Sequence, residues 1–365
     1  MRVLLIEPYY GGSHRAWADG YRAFSQHTVD LLTLPASFWK WRMQGGAVTL
    51  ARLYQELVDE PDVILASEMF DLAAFRALTR RRTAHIPVAL YFHENQLTYP
   101  QNARQGHGWR YAFTNYTSAL AAERVFFNSQ FHMAAFFAAL PNMLKHFPDY
   151  NELDSIEVLR QRAAVLPLGL DLRRYDQHQD ARSNTGAPPL ILWNHRWEPD
   201  KNPELFSAAL KALLDEGIEF RVALAGENFQ VSPTAFEAVR ELLGARVVQY
   251  GYVTEFAAYA RLLWQADYVV STAYQDFFGA GVAEAMYCRC VPLLPDRLNY
   301  PALVPEGQQE VCLYPDDQLL PLLLRHLGGE VAADTDTLRA HVAVYDWSAM
   351  APIYDAALTR LVQEA

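Results

Sequence analysis

Short apolar runs recur along the first half of the chain, separated by stretches in which apolar residues return every three or four positions. VLLI, VDLLTL, DVILAS, PVALYFH and RVFFNS have the length and content of buried strands. The stretches near residues 15–24, 46–59, 69–82, 109–123 and 131–145 carry the helical period. Such alternation predicts βαβ units and a parallel sheet covered on both faces. After VLPLGLDLRRYD the pattern lapses into QHQDARSNTGAPP, polar and Gly/Pro-containing, the composition of a linker. A second alternation follows through LILWNH, FRVALAG, RVVQYGYV, YVVSTA and VPLLPD, and WSAMAPIYDAALTRLV closes the chain with helical spacing. The expected organisation is a first Rossmann-like domain over residues 1–175, a linker over 176–189 and a second Rossmann-like domain over 190–344. A terminal helix over 345–365 can pack back on the first domain. Two such α/β domains leave a cleft between their strand ends.

Composition narrows the class. A length of 365 residues suits two domains, and 51% hydrophobic residues exclude a disordered chain. No run of eighteen apolar residues occurs, and MRVLLIEPYY passes from a short strand into a turn, so neither a membrane span nor a signal peptide is expected. Cys288, Cys290 and Cys312 form no C-x-x-C pair, which argues for a reducing, cytoplasmic compartment and against structural zinc. A net charge of −11 speaks against a surface that coats nucleic acid broadly. Local basic groups gather in the first half: Lys40 and Arg42, the run Arg80, Arg81, Arg82, and Arg104 with Arg110. Each reads as a solvated face or as part of an RNA contact.

The chemistry sits where strands end. PVALYF runs directly into His93, Glu94, Asn95 and Gln96, and the carboxyl end of a parallel strand is where open α/β sheets place ligands. EPYYGGSH follows the first strand, and Gly11 and Gly12 allow either a plain tight turn or a close backbone approach to a ligand, with Ser13 able to cap the next helix. It is not the G-x-G-x-x-G dinucleotide pattern. In WNHRWEPDKNPELF, Arg196 and Lys201 precede a helix whose first turn suits Pro203. They supply a fork and a point charge for a diphosphate, or pair with Glu198 and Asp200 as salt bridges. QDFFGAGVAEAMYCRC places Asp276 before a helix and Glu284 within it, around Phe278 and Gly279. That spacing lets two carboxylates take sugar or ribose hydroxyls while backbone N–H groups approach a phosphate. Cys288 and Cys290 on the same helix read as small core residues.

With these three motifs the chain resembles the retaining GT-B glycosyltransferases of family 4. The resemblance makes Arg196 and Lys201 the diphosphate ligands, and Asp276 and Glu284 the paired acids, usually Glu-x7-Glu. Asp276 is one methylene shorter than the usual residue, and Arg289 stands where the family's helix usually has Gly. IEPYYGGSH, TLPASFWKWRMQGGA, YFHENQLTYP, FNSQFH and HRWEPDKNPE together resemble the tRNA-queuosine mannosyltransferase family over nearly the whole chain. That likeness implies transfer of mannose from GDP-mannose to the cyclopentene ring of queuosine in tRNA-Asp. It also implies no metal or other cofactor, and the sequence carries no Asp-x-Asp beside a strand. It makes His93 the histidine that faces the donor sugar, and His93, Arg196, Lys201 and Glu284 the catalytic set. Gly11, Gly12, Asp276, Phe278 and Gly279 join the donor site. Ser13, His14, Lys40, Arg42, Glu94, Asn95 and Gln96 fall to the acceptor side, with Trp39 and Trp41 interleaved between the cations as stacking surfaces, or, since an extended stretch would send both to one face, buried together in the core. The partners implied are a nucleotide sugar and tRNA, without stable membrane insertion. Three alternatives stay open on the residues: a lipid or small-molecule acceptor, a catalytically silent nucleotide-sugar or tRNA-binding protein, and a UDP-sugar epimerase of the same fold.

Overall fold

A computed structural model describes residues 1–99, 108–182, 186–227 and 234–365. The chain divides into one unit of Met1–Leu170 with Trp347–Ala365 and a second of Asp171–Asp346. Pro100 and Arg104 lie outside the described residues.

The first unit is built on β1 (Arg2–Tyr10), β2 (Thr28–Pro35), β3 (Val63–Ser67), β4 (Val88–Phe92), β5 (Arg124–Phe127) and β6 (Ala163–Val165). All pair in parallel in the order β2-β1-β3-β4-β5-β6. Every residue of β3 and β4 is buried, which is why these strands read as unbroken apolar runs. The chain winds outward from β1 in one direction to β2 and in the other to β3, so a crevice opens above the carboxyl ends of β1 and β3.

The second unit repeats the construction with β7 (Leu190–Trp193), β8 (Arg221–Leu224), β9 (Val247–Tyr250), β10 (Tyr268–Val270), β11 (Val291–Pro295) and β12 (Leu313–Tyr314). Its order is β12-β11-β10-β7-β8-β9, again parallel. Here the winding reverses between β7 and β10.

Three sequence expectations change. The first unit ends at Leu170, and Arg173–Ala181, expected to run from the first domain into a linker, forms helical turns in the second. Trp264 Nε1 donates to Tyr175 O (2.8 Å), while Tyr287 Oη (3.0 Å) and Arg339 (2.6 Å) donate to the Asp176 carboxylate. A polar stretch is thus held by one buried tyrosine and one acid, which a search for apolar periodicity passes over. Second, FWKWR is not extended: a helix runs over Trp39–Gln55. Trp39 and Trp41 therefore diverge, Trp39 against Tyr111 (centroids 5.2 Å) and Trp41 outward at 59% exposure. Third, Arg80, Arg81 and Arg82 occupy the last turn of the helix Leu72–Thr83. There they complement the helix dipole at the amino-terminal edge of the sheet, opposite the crevice. Arg82 is further committed, donating to Tyr54 O (3.1 Å) above the Tyr54 ring.

The helix Trp347–Glu364 belongs to the first unit. The Asp355 carboxylate accepts from Ser25 Oγ (2.6 Å), Tyr21 Oη (2.8 Å) and Gln26 N–H (2.8 Å). Trp347 lies so close to Gly20 and Gly169 that a Cβ on either would fall within 2.4 Å of the indole. Among the described residues no helix is long and apolar enough to cross a membrane.

Candidate active site

At the crevice of the first unit, β1 delivers Glu7, β3 is followed by Glu68, β4 by His93, and the helix Gly12–Phe24 carries His14. Glu7 is fully buried, accepting from Tyr9 N–H (2.8 Å) through Oε1 and contacting His14 Nδ1 at 3.0 Å through Oε2. Burial pulls His14 toward neutrality, but Glu7, with Glu68 and Glu94 beyond it, reverses this and raises its pKa to about 9. His14 is therefore an imidazolium at neutral pH. Its ring lies 4.3 Å from that of His93, centroid to centroid. Burial, with the charge of His14 and with His132, holds His93 well below the usual histidine range, so it is neutral. The His93 side chain is only 8% exposed, wedged edge-on against Trp17 (4.6 Å) and Tyr91 (4.8 Å). Its Nε2 is buried without a hydrogen-bond partner, 4.0 Å from Glu7 Oε2. Buried ring nitrogens are ordinarily satisfied, which makes this atom a candidate for a ligand contact.

Glu68 holds the turn after β4. Its two carboxylate oxygens accept from His93 N–H (3.1 Å) and Glu94 N–H (3.0 Å). Burial pushes its pKa up to about 8, against the pull of His14. Neither Glu7 nor Glu68 was selected from the sequence. The signal was available: each is an acid at the end of an apolar strand run, the same rule that picked out His93.

The neighbouring residues divide sharply. Asn95 is fully buried, and its Oδ1 accepts from Leu97 N–H (3.0 Å), Thr98 N–H (2.9 Å) and Thr98 Oγ1 (3.1 Å). Gln96 is 6% exposed, with its N–H donating to Asn115 Oδ1 (2.8 Å) and its Nε2 to Glu94 Oε1 (3.1 Å). Asn95 Oδ1 and Gln96 thus build the loop, while Asn95 Nδ2, buried without a hydrogen-bond partner, and the partly exposed Glu94 are the groups that can meet a hydroxyl. Ser13 does not cap its helix: Gly11 is the N-cap residue, and Ser13 is exposed in the first turn. A Cβ on Gly11 would sit 2.4 Å from Ala36 Cβ, and Gly12 adopts φ +51°, so the pair is required by a close approach followed by a left-handed residue. Lys40 is exposed, whereas Arg42 donates to Pro35 O (2.9 and 3.3 Å) and Ser37 Oγ (3.3 Å).

In the second unit the loop after β7 packs against the loop after β10. Lys201 is 7% exposed; its ammonium donates to Gln275 O and lies 3.3 Å from Asp200 Oδ2. Thr272 Oγ1 donates to Lys201 O (2.7 Å), tying the two loops together. Asn202 at φ +51° turns the chain into the helix Pro203–Asp215, and its Oδ1 accepts from Leu205 N–H (3.3 Å). Arg196 is 46% exposed, 3.5 Å from Glu198. Asp276 Oδ1 accepts from Phe278 N–H (3.2 Å) and Gly279 N–H (2.8 Å), and its Oδ2 from Tyr300 Oη (3.2 Å). The carboxylate therefore shapes the glycine loop from within. Gly279 at φ +93° opens the helix Ala280–Tyr287 without a side-chain cap, leaving N–H groups for an anion. Phe278, expected beside the donor, is 4% exposed and packs edge-on against Tyr345 (5.1 Å), a core role.

Glu284 lies one turn in, its Oε2 accepting from Tyr259 Oη (3.2 Å). Burial raises its pKa to about 7, against hydrogen bonds from Tyr259 and Tyr175. Asn194 Nδ2 donates to Gly281 O (2.9 Å), and its Oδ1 is buried without a hydrogen-bond partner. His195 was missed from the sequence. Burial, then Lys201, lowers it to about 4, and its Nε2 is likewise unpartnered. A Cβ on Gly226 would come within 1.8 Å of His195 O, so that glycine lets the loop after β8 close against this strand end. The three cysteines are buried, and burial raises each thiol, Cys290 and Cys312 to about 12.

Two parallel-sheet units, with ligand-ready groups above the reversal point of each, define the GT-B class of glycosyltransferases. Solved structures agree on the fold. Sucrose-phosphate synthase from Thermosynechococcus elongatus superposes with a TM-score of 0.73 over 100% of both chains at 15% identity. The catalytic domain of starch synthase IV from Arabidopsis thaliana gives 0.71 over 100% of this chain and 99% of its own, at 11% identity. Residues 2–170 match the model described as tRNA-queuosine alpha-mannosyltransferase N-terminal, and residues 176–320 that of glycosyl transferases group 1. The chain is 34% identical over 312 residues to tRNA-queuosine alpha-mannosyltransferase of Drosophila melanogaster, covering 83% of this chain and 82% of that protein. It belongs to the tRNA-queuosine alpha-mannosyltransferase family. A shorter likeness, 28% over 129 residues, covers 34% of this chain and 33% of a GDP-mannose-dependent alpha-(1-6)-phosphatidylinositol dimannoside mannosyltransferase of Mycobacterium tuberculosis.

Proposed function

We propose that this glycosyltransferase moves mannose from GDP-mannose to queuosine in tRNA-Asp, retaining the anomeric configuration and using no metal. The observation that carries the reading is the family match over 2–170, which covers the unit holding Glu7, His14, Glu68 and His93. The M. tuberculosis relative supports GDP-mannose as donor. A tRNA acceptor puts the reaction in the cytoplasm.

Breaking the sugar–phosphate bond develops positive charge on the sugar and negative charge on the departing diphosphate. Lys201, already desolvated, and the fork of Arg196 take the diphosphate together with N–H groups of the first turn of the helix Ala280–Tyr287. Charge held in place before reaction stabilises the leaving group without reorganisation. Glu284 takes nucleotide or sugar hydroxyls. In the first unit neutral His93 offers Nε2 to a hydroxyl of the transferred sugar, and Glu94 holds acceptor hydroxyls. A donor phosphate oxygen receives the acceptor proton.

The test is incubation of queuosine-containing tRNA-Asp with the protein and GDP-mannose, followed by boronate gel electrophoresis, which reads cis-diols. A mobility change that requires both GDP-mannose and queuosine is expected. Unchanged mobility, with turnover instead on a lipid or small glycoside, overturns the acceptor assignment.

A further inference from the structure

The turn from β2 into the helix Trp39–Gln55 presents two aromatic rings that the fold itself does not use. Phe38 is 81% exposed and Trp41 59%. Phe38 stands at φ 52°, ψ 53°, the left-handed region, as N-cap of the helix. A bulky L-residue there is uncommon and strained, and an exposed ring gains no burial to offset it. The surrounding bonds nevertheless fix it. Phe38 O accepts from Trp41 N–H (2.8 Å) and Arg42 N–H (3.2 Å), and Ser37 N–H donates to Pro35 O (2.8 Å). The Arg42 guanidinium staples the same turn from outside through Pro35 O and Ser37 Oγ.

Trp41 is presented differently. A Cβ on Gly45 would fall 2.5 Å from its indole, so the ring lies along the helix over a residue without a side chain, one face covered and the other open. Trp39, by contrast, is tucked against Tyr111. From Leu31 to Gln55 there is no Asp or Glu, and Lys40 and Arg42 flank Trp41, while Arg52, in the last turn of the helix, pairs with Glu56 (2.9 Å). In a chain of net charge −11 this is a local basic island with two displayed aromatic faces. Unpaired RNA bases bind by stacking on such faces beside cations that meet the phosphates.

We propose that Phe38 and the open face of Trp41 stack on unpaired bases of the acceptor tRNA, with Lys40 meeting phosphate. Arg42 is a positioning residue that holds Phe38 outward and is not a phosphate ligand. This rests on the tRNA reading above and assigns its docking surface.

The test measures the Kd for queuosine-containing tRNA-Asp across a salt series, alongside the Kd for GDP. Phe38→Ala and Trp41→Ala each weaken tRNA binding about tenfold, leave GDP affinity unchanged and leave the salt slope unchanged. Phe38→Trp restores binding. Phe38→Gly raises resistance to urea, because it relieves the left-handed strain, yet binds tRNA as weakly as Phe38→Ala. Arg42→Ala matches Phe38→Ala, and the double variant is no worse than either alone, as expected of one unit. Lys40→Ala lowers the salt slope by about one counterion. Wild-type protein that binds no tRNA overturns both this assignment and the functional reading. Normal tRNA binding by Phe38→Ala and Trp41→Ala overturns this assignment alone. So does a loss confined to binding of phosphatidylserine-containing vesicles, which would make the rings a membrane contact. A salt slope reduced in Arg42→Ala would return that residue to the phosphates.

Discussion

Replacing Glu7 with Gln should turn His14 from a cation into a neutral ring while leaving volume nearly unchanged. In the wild type, the contact at 3.0 Å and the neighbouring acids raise His14 from 6.5 to about 9. A histidine whose folded pKa is raised contributes stability that is full below its unfolded pKa and fades as pH climbs through its folded one. With one pKa unit equal to about 1.4 kcal/mol, the contribution is about 3 kcal/mol at pH 6, about 2.5 at pH 7 and under about 0.5 at pH 9. In the variant the Glu7 carboxylate, the largest raising cause, is gone while burial and the lesser pull of Glu68 and Glu94 remain, so the His14 pKa falls toward its ordinary value. Urea unfolding of wild type and Glu7→Gln should therefore differ by about 2–3 kcal/mol at pH 6–7 and converge near pH 9. Labelled-histidine NMR, with His14→Gln to assign the signal among the eleven histidines, should find the His14 titration near pH 9 in the wild type. A stability gap that stays constant between pH 6 and pH 9, or a wild-type His14 that titrates near 6.5, refutes the pairing.

Arg196→Ala should lower turnover with GDP-mannose by about two to three orders of magnitude while leaving unfolding unchanged, since the side chain is 46% exposed; near wild-type turnover would remove it from the diphosphate. Glu284 is neutral below about pH 7 and a carboxylate above it, so donor affinity should rise as pH passes through 7, and Glu284→Gln should abolish the rise; an unchanged pH profile in the variant contradicts the assignment. Ligand atoms of Glu7, His14 and His93 all lie within 4.8 Å of one another, a spacing that could hold a metal, yet turnover should survive EDTA; a loss restored by Zn²⁺ or Mn²⁺ would assign these three as metal ligands. Arg289 stands at φ +70° just past the helix Ala280–Tyr287, where the left-handed conformation costs an L-residue about 1–2 kcal/mol. Arg289→Gly should stabilise by about 0.5 kcal/mol after the entropy of glycine and an exposed ion pair to Asp336 are deducted; a urea midpoint that falls would show the ion pair to matter more.

The two parallel sheets were legible because each central strand is buried on both faces and leaves an uninterrupted apolar run. What periodicity could not show was local commitment. Trp39-Lys40-Trp41-Arg42 alternates like a strand, yet Phe38 turns left-handed and starts a helix, a backbone choice with no apolar signature. Arg173–Ala181 looked like the edge of a linker because its anchors, Tyr175 and Asp176, are two residues among polar ones. Arg289 was noticed as a departure from glycine, and the reason glycine suits that position is its positive φ.

The candidate site shows a different limit. Sequence located the strand ends and, there, His14, His93, Lys201 and Glu284, but it passed over Glu7, Glu68, Asn194 and His195, and it could not tell which polar side chains were still free to bind. In HENQ the four residues look equivalent. Asn95 accepts three bonds inside its own loop through Oδ1, Gln96 closes back on Glu94, and buried nitrogens without a hydrogen-bond partner remain on His93 (Nε2) and Asn95 (Nδ2). Asp276 is likewise a loop builder, its carboxylate organising the glycine loop, while Lys201 and Glu284 are held in place by Gln275 and Asp200 and by Tyr259 respectively. Loop-building side chains fix the backbone, and a fixed backbone is what holds the remaining groups to the tolerance that chemistry requires. Glu68 makes the point most directly: it touches no candidate ligand position, but its two oxygens hold the N–H groups of His93 and Glu94. Replacing it should misplace both residues at once while leaving their side chains intact. A Glu68→Gln variant keeps one acceptor and loses the other, so it should affect turnover more than GDP affinity, whereas a purely structural acid would lower stability and leave the ratio of the two unchanged.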